Sequence, residues 1–214
     1  DGWTVIFKKI KFLFFVFPFF LLADEYLSDE KYYDKGIELY KSAKFSEAFI
    51  IFYNLSIKGD RNSQFNLSNM YSGGIGTTQD FSEALKWSWL CSLGGEKKCF
   101  ENLESLKSEV DEKTLEKISK NVEELLEKEL YKSQDIQYAL KLGFWFEKFS
   151  PNIDFEKSYM WYSVAVTGGL YKAMKVRDKV RKKIENETVI KLQKEANKIY
   201  TNIKYFVNKN GDQR

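Results

Sequence analysis

At 214 residues, 43% hydrophobic and 17% aromatic, the chain can build either one domain or a short stack of repeated units. It contains no histidine, which excludes Ser-His-Asp and Cys-His catalysis; with only two cysteines, a structural zinc site is excluded as well. Charged residues of both signs make up 30% and sum to +3, so electrostatics give no reason to expect a nucleic-acid partner.

The first element is an export signal. Lys8, Lys9 and Lys11 precede an uninterrupted apolar run, Phe12 to Leu22, and Ala23 stands before the acidic Asp24 and Glu25. That order of charge, short apolar core and small residue predicts a secretory signal peptide over residues 1–23 and a periplasmic or secreted product. Eleven apolar residues rise only about 16 Å as a helix, short of a hydrocarbon core of about 30 Å. Membrane attachment is therefore expected only if this segment stays uncleaved. Residues 1–5, DGWTV, fit the signal poorly and read as an extension ahead of the natural start.

After Asp24 the periodicity is helical, and two prolines in the whole chain favour helix over strand. A first repeat over 24–60 is predicted to hold helices around 29–43 and 46–58, with Gly36, Tyr40, Phe45, Ala48 and Phe52 as packing positions. A second unit over 61–133 begins with Leu67, Met70 and Tyr71 on one helix face. It breaks at Gly73-Gly74-Ile75-Gly76 and restarts at Asp80, which with Glu83 has the form of a capping box. Ala84, Trp87 and Cys91 share one face of that second helix, and helices over 97–108 and 111–131 follow. A third unit over 134–210 repeats this plan. Asp80, Trp87 and Gly95 recur as Asp154, Trp161 and Gly169, 74 residues on, and Phe81-Ser82-Glu83-Ala84 repeats Phe45-Ser46-Glu47-Ala48 at a distance of 36. In the trailing helices Val110, Thr114, Leu115, Ile118 and Val122 match Ile184, Thr188, Val189, Leu192 and Ala196. Such periods mark stacked supersecondary units, so the expected fold is all-α: a short α-solenoid of antiparallel helix pairs.

Leu67, Tyr71, Gly74, Gly76, Asp80, Ala84, Trp87 and Gly95 together resemble the Sel-one-like repeat, a relative of the tetratricopeptide repeat with a Gly-x-Gly turn. Leu142-Gly143, Asp154, Trp161-Tyr162, Ala165 and Gly169 resemble it a second time. Ser68 stands where the pattern has glycine, Ser88 where it has tyrosine, and the turn at 149–152 is rewritten. Cys91 and Cys99, eight residues apart, are similar to the cysteines of the secreted cysteine-rich members. That resemblance implies a disulfide from the second helix of one repeat to the next helix; two buried free thiols are the alternative. It also implies a scaffold that binds a protein or peptide, with no cofactor and no metal. By analogy with tetratricopeptide geometry, a concave face would be lined by Asn62, Phe65 and Asn69 in one unit and by Gln137, Leu140 and Phe144 in the other.

Some cysteine-rich relatives are linked to β-lactams, so an envelope enzyme acting on β-lactams or peptidoglycan is the competing expectation. Its motifs are weak here. Ser28-x-x-Lys31 matches one serine-enzyme element, but Lys113-Thr114-Leu115 lacks the glycine of another and no Ser-Asp-Asn occurs. No catalytic residue is assigned. The basic stretch Arg177 to Lys183 reads as a solvated, salt-bridged helix. Trp145 and Phe146 are adjacent on one helix, so one of them is expected at the open surface. A bias to Lys, Asn, Ile and Phe suggests an AT-rich bacterial source.

Overall fold

The computed structural model describes residues 28–210, with side chains to 204; the proposed export signal lies outside the described residues. The described residues are all-α, with no strand among them. Five helices of 13 residues each form the repeat units: α1 (Asp29–Lys41), α2 (Phe45–Ile57), α3 (Arg61–Gly73), α4 (Phe81–Leu93) and, later in the chain, α9 (Phe155–Thr167). Between α4 and α9 lie the short α5 (Lys98–Glu101) and α6 (Leu103–Ser108), the long α7 (Glu112–Ser133) and α8 (Gln137–Phe144). A π-helical turn, Trp145–Phe149, continues α8. After α9, a 3-10 turn leads into α10 (Met174–Arg181), and α11 (Asn186–Asn210) ends the described chain. Each helix packs chiefly on its neighbours in sequence: α1 on α2, α2 on α3, α3 on α4, α8 on α9, and α9 on α10 and α11. The fold is a small helical solenoid.

Asp and Ser side chains start these helices by accepting backbone N–H groups that the first turn leaves unpaired. Asp60 accepts from Ser63, Asp80 from Ser82 and Glu83, Asp111 from Thr114 and Asp154 from Lys157. At Asp80 only half of the expected capping box forms. The Asp80 N–H is taken by the Tyr71 carbonyl, and the Glu83 carboxylate accepts instead from Trp87 Nε1 at 3.1 Å and Lys86 Nζ at 2.6 Å.

The Gly-x-Gly turn is a point of contact between units. Gly76 has φ +73°, and a Cβ there would run into the Phe45 carbonyl at the start of α2. Only glycine meets both demands. In the later unit the π turn replaces this loop, yet the closing bond is the same: Asp80 N–H reaches the Tyr71 carbonyl at 3.0 Å, and Asp154 N–H reaches Phe146 at 3.0 Å.

The units also match in detail where their residues differ. Ser68 donates to the Ala84 carbonyl at 2.7 Å, and in the later unit Ser158, matching Ala84, donates to the carbonyl of Gly143, matching Ser68, at 3.0 Å. The hydroxyl has changed helix and the bond across the pair remains. Size is exchanged in the same way. Gly36 lies against Phe52 and Gly143 against Tyr162, so closely that an added Cβ would overlap either ring. The unit with Ser68 in place of glycine carries the small Ser88 in place of the aromatic. Ser68 and Ser88 thus stand at the positions that Gly143 and Tyr162 hold in the later unit, two small residues in place of the smallest and a large one.

Two expectations are corrected. The single helix expected over 97–108 is broken at Asn102, because Cys99 is tied to α4 while the Asn102 side chain turns to donate to Asn69 Oδ1 at 3.1 Å. Trp145 and Phe146 are both buried, at 0% and 2% exposure. The wider π turn allows this: the Trp145 ring meets Trp89 edge-on at 5.1 Å while the Phe146 carbonyl accepts from Asp154.

Candidate functional site

The main core runs from α3 to α11. A smaller cluster of Ala48, Phe52 and Met70 holds the first unit, and Phe49 packs against both. Beside their junction, α2 presents Ile50, Tyr53 and Ile57 at 57%, 38% and 62% exposure. Spacings of three and four put them on one helix face. A lone exposed isoleucine needs no explanation, but a stripe of three on one helix does. Tyr53 meets Trp87 edge-on at 6.2 Å. Glu83 fixes the Trp87 indole through its N–H, and Lys86 Nζ lies 5.1 Å from the ring centroid.

The stripe ends at a cavity of about 110 Å³. Ser56, Ile57 and Gly59 at the end of α2 form one wall, Gln64 of α3 with Trp87 and Leu90 of α4 the next. Leu125, Leu126 and Glu129 of α7 and Tyr138 and Lys141 of α8 close it. Most of this lining is apolar, and its polar groups are few. Gln64 is already committed, donating to the Ser56 carbonyl at 3.1 Å. The Ser56 hydroxyl is buried and has no hydrogen-bond partner among the described residues. Glu129 pairs with Lys132, three residues further along α7, at 3.7 Å. Lys141 is half-buried and rests its Nζ 4.6 Å from the Tyr138 ring centroid. Burial lowers the Lys141 pKa; Asp135 acts against this and Arg61 adds to it. Such a pocket, apolar with a few convergent polar groups, has the character of a ligand site.

Two other clefts are more polar. Between α7, α9 and α11 an open trough of about 630 and 470 Å³ in two connected parts shares Glu123, Asp154, Glu156 and Lys157. Burial and the neighbouring Glu123 raise the Glu127 pKa there, while Lys157 acts to lower it. A smaller cleft of about 380 Å³ lies between α9, α10 and α11, with Arg177, Arg181, Tyr159 and Ser163 in its wall. The arginines are already engaged: Arg177 with Asp178, and Arg181 with the Ile184 carbonyl and Asn186. Tyr162 of α9 donates to Glu147 Oε2 of the π turn at 2.6 Å, and burial followed by that bond pushes its phenol well above the ordinary tyrosine range.

The residues expected on a concave face are dispersed in role. Asn62 is exposed, Phe65 half-buried, and Asn69 accepts from Asn102. Gln137 and Leu140 are half-buried, and Phe144 meets Tyr162 edge-on at 5.5 Å. None of the six lines the cavity or the two clefts just described, although Gln64 and Lys141, each adjacent in sequence to one of the regions, line the cavity. Cys91 and Cys99 are joined by a disulfide, Cα to Cα 6.0 Å, and are 0% and 1% exposed. Ser28, of the Ser-x-x-Lys match, caps α1 by accepting the Lys31 N–H. Among the described residues no group of three metal-ligating side chains converges, and no helix is long and apolar enough to cross a membrane.

Ser56, Tyr138 and Lys141 were not singled out from the sequence. The available signal was Lys141 itself, a charge inside the run Tyr138-Ala139-Leu140-Lys141-Leu142. No family model matches the chain, and no curated protein matches it.

Proposed function

We propose that this chain is an exported Sel-one-like scaffold of the bacterial cell envelope whose task is to bind another protein or a peptide. The observation that carries the reading is the exposed stripe Ile50, Tyr53 and Ile57 running into an apolar cavity beside Trp87. Amphipathic peptides are held in this way, with anchor side chains in pockets along a helix-lined groove. The Cys91–Cys99 bond supports an oxidising compartment, where such bonds persist.

A photo-cross-linking residue at position 53, compared with one at the 71%-exposed Tyr171, tests the proposal in envelope extract. A discrete polypeptide captured at 53, absent at 171 and lost on Ile50→Asp with Ile57→Asp, is the expected result. Equal capture at both positions, or cross-links only within the chain itself, overturns it.

A further inference from the structure

We infer that the cavity at Lys141 is a site for a carboxylate carried on a small apolar body. The argument starts from the charge. An ammonium half-withdrawn from water normally acquires a carboxylate or carbonyl partner, because desolvation without compensation is costly. The contact found for Lys141 is the face of Tyr138, and it has no hydrogen bond or ion pair among the described residues. Glu129, the one carboxylate in the lining, is not within ion-pair distance of it and pairs with Lys132. Asp135 favours the charge on Lys141, but it does not line the cavity and makes no ion pair with it, so a bound anion would be the first ion-pair partner of Lys141 among the described residues.

The surroundings restrict what that anion can be. Trp87, Leu90, Leu125 and Leu126 offer apolar contact, and about 110 Å³ holds a body of about four or five carbons, somewhat less than the cavities that take benzene. Ser56 also lines this wall, with its hydroxyl buried beneath the surface. Glu129 opposes a second negative charge, so a monoanion is favoured over a phosphate dianion. One charge and a short branched apolar body describe either the C-terminal residue of a peptide or a free branched-chain carboxylic acid. The first source rests on the scaffold reading, since the exposed stripe on α2 would guide the rest of a peptide to the mouth at Ile57. The second does not need it.

Calorimetric titration of the purified chain separates these cases. The probes are 4-methylpentanoate and its amide, and a hexapeptide ending in leucine with a free or an amidated C-terminus. Carboxylates should bind at least tenfold more tightly than the matching amides. Lys141→Met should remove that preference with the helical circular dichroism unchanged. Binding of the free acid as tight as that of the peptide identifies a small-molecule ligand, and binding of the peptide alone identifies a chain end; both support the site. Amides binding as well as acids, a full preference surviving in Lys141→Met, or no binding by either acid overturns it. If the preference is absent while capture at position 53 persists, this inference fails and the scaffold reading stands.

Discussion

Gly143 shows how far one hydrogen atom matters in this stack. Its missing side chain admits the Tyr162 ring, which is itself fully buried and anchored to Glu147. Adding a Cβ must move either the ring or α8. Overpacking of this kind costs about 1–3 kcal/mol, against which helix propensity returns at most about 1 kcal/mol. Gly143→Ser is accordingly expected to lower stability by about 1–2 kcal/mol in urea denaturation. The unit containing Ser68 and Ser88 indicates the remedy. In a Tyr162→Ser background, Gly143→Ser should cost much less, because the clash is gone and the combination is one the chain already uses. Directly facing residues couple by about 0.5–3 kcal/mol, so strictly additive effects would refute the claim that the two sites are matched. Lys141 is the opposite case at this scale. Only the Tyr138 ring face and the more distant Asp135 favour its charge, and a methionine there would relieve a desolvated ammonium. A residue that opposes stability is a better guide to binding than one that serves it.

Between elements, the disulfide decides where α5 begins. Gly95, at φ +89°, reverses the chain after α4, and Cys99 is then held against Cys91 while Ser88 donates to the Cys99 carbonyl at 2.9 Å. Closing a loop of this length stabilises the fold by roughly 2–3 kcal/mol in the chain-entropy model. The Cys91→Ala, Cys99→Ala variant should lose about that much in denaturant titration, and reductant should then leave its midpoint unmoved while lowering that of the parent chain. A variant as stable as its parent would mean that packing alone holds the α4–α5 junction. Much of this level was legible beforehand. Asp80 and Asp154 announced helix starts, Gly74 and Gly76 a turn, and Gly95 and Gly169 a helix end, because each signal is local and rests on backbone geometry. The break at Asn102 and the π turn at Trp145 were not legible. Both come from contacts to residues 33 and 56 positions away, Asn69 and Trp89, and local spacing carries no record of them.

At the scale of the whole molecule, the cavity escaped sequence reading for a related reason: its walls come from five helices and the turn after α2, and no single stretch contains the pattern. Tetratricopeptide analogy directed attention to the first helix of each pair, whereas the cavity lies where the first unit meets α7 and α8. That position has a consequence for stability. The first unit is held by a small cluster, its Ala48 and Phe52 with Met70 of α3, and Tyr33, Ile37 and Ile75 around them, while α4, α7, α8 and α9 share one extended core. In a linear stack each unit is stabilised only by itself and by its neighbours, so an end unit with a small core opens first. Native-state hydrogen exchange should therefore give α1 and α2 amides a lower opening free energy than those of α4 and α9. Identical values in all four helices would make the molecule a single cooperative block and contradict the stack as a description of its energetics. Because Ser56 and Ile57 contribute to the cavity wall, a ligand bound there must be released or lose contacts when α2 opens. Occupancy at one hundred times the dissociation constant would raise the opening free energy of α2 by about 2.7 kcal/mol through linkage. A rise confined to α2 and its neighbours, absent in Lys141→Met, would locate the ligand at the junction between the end unit and the main core.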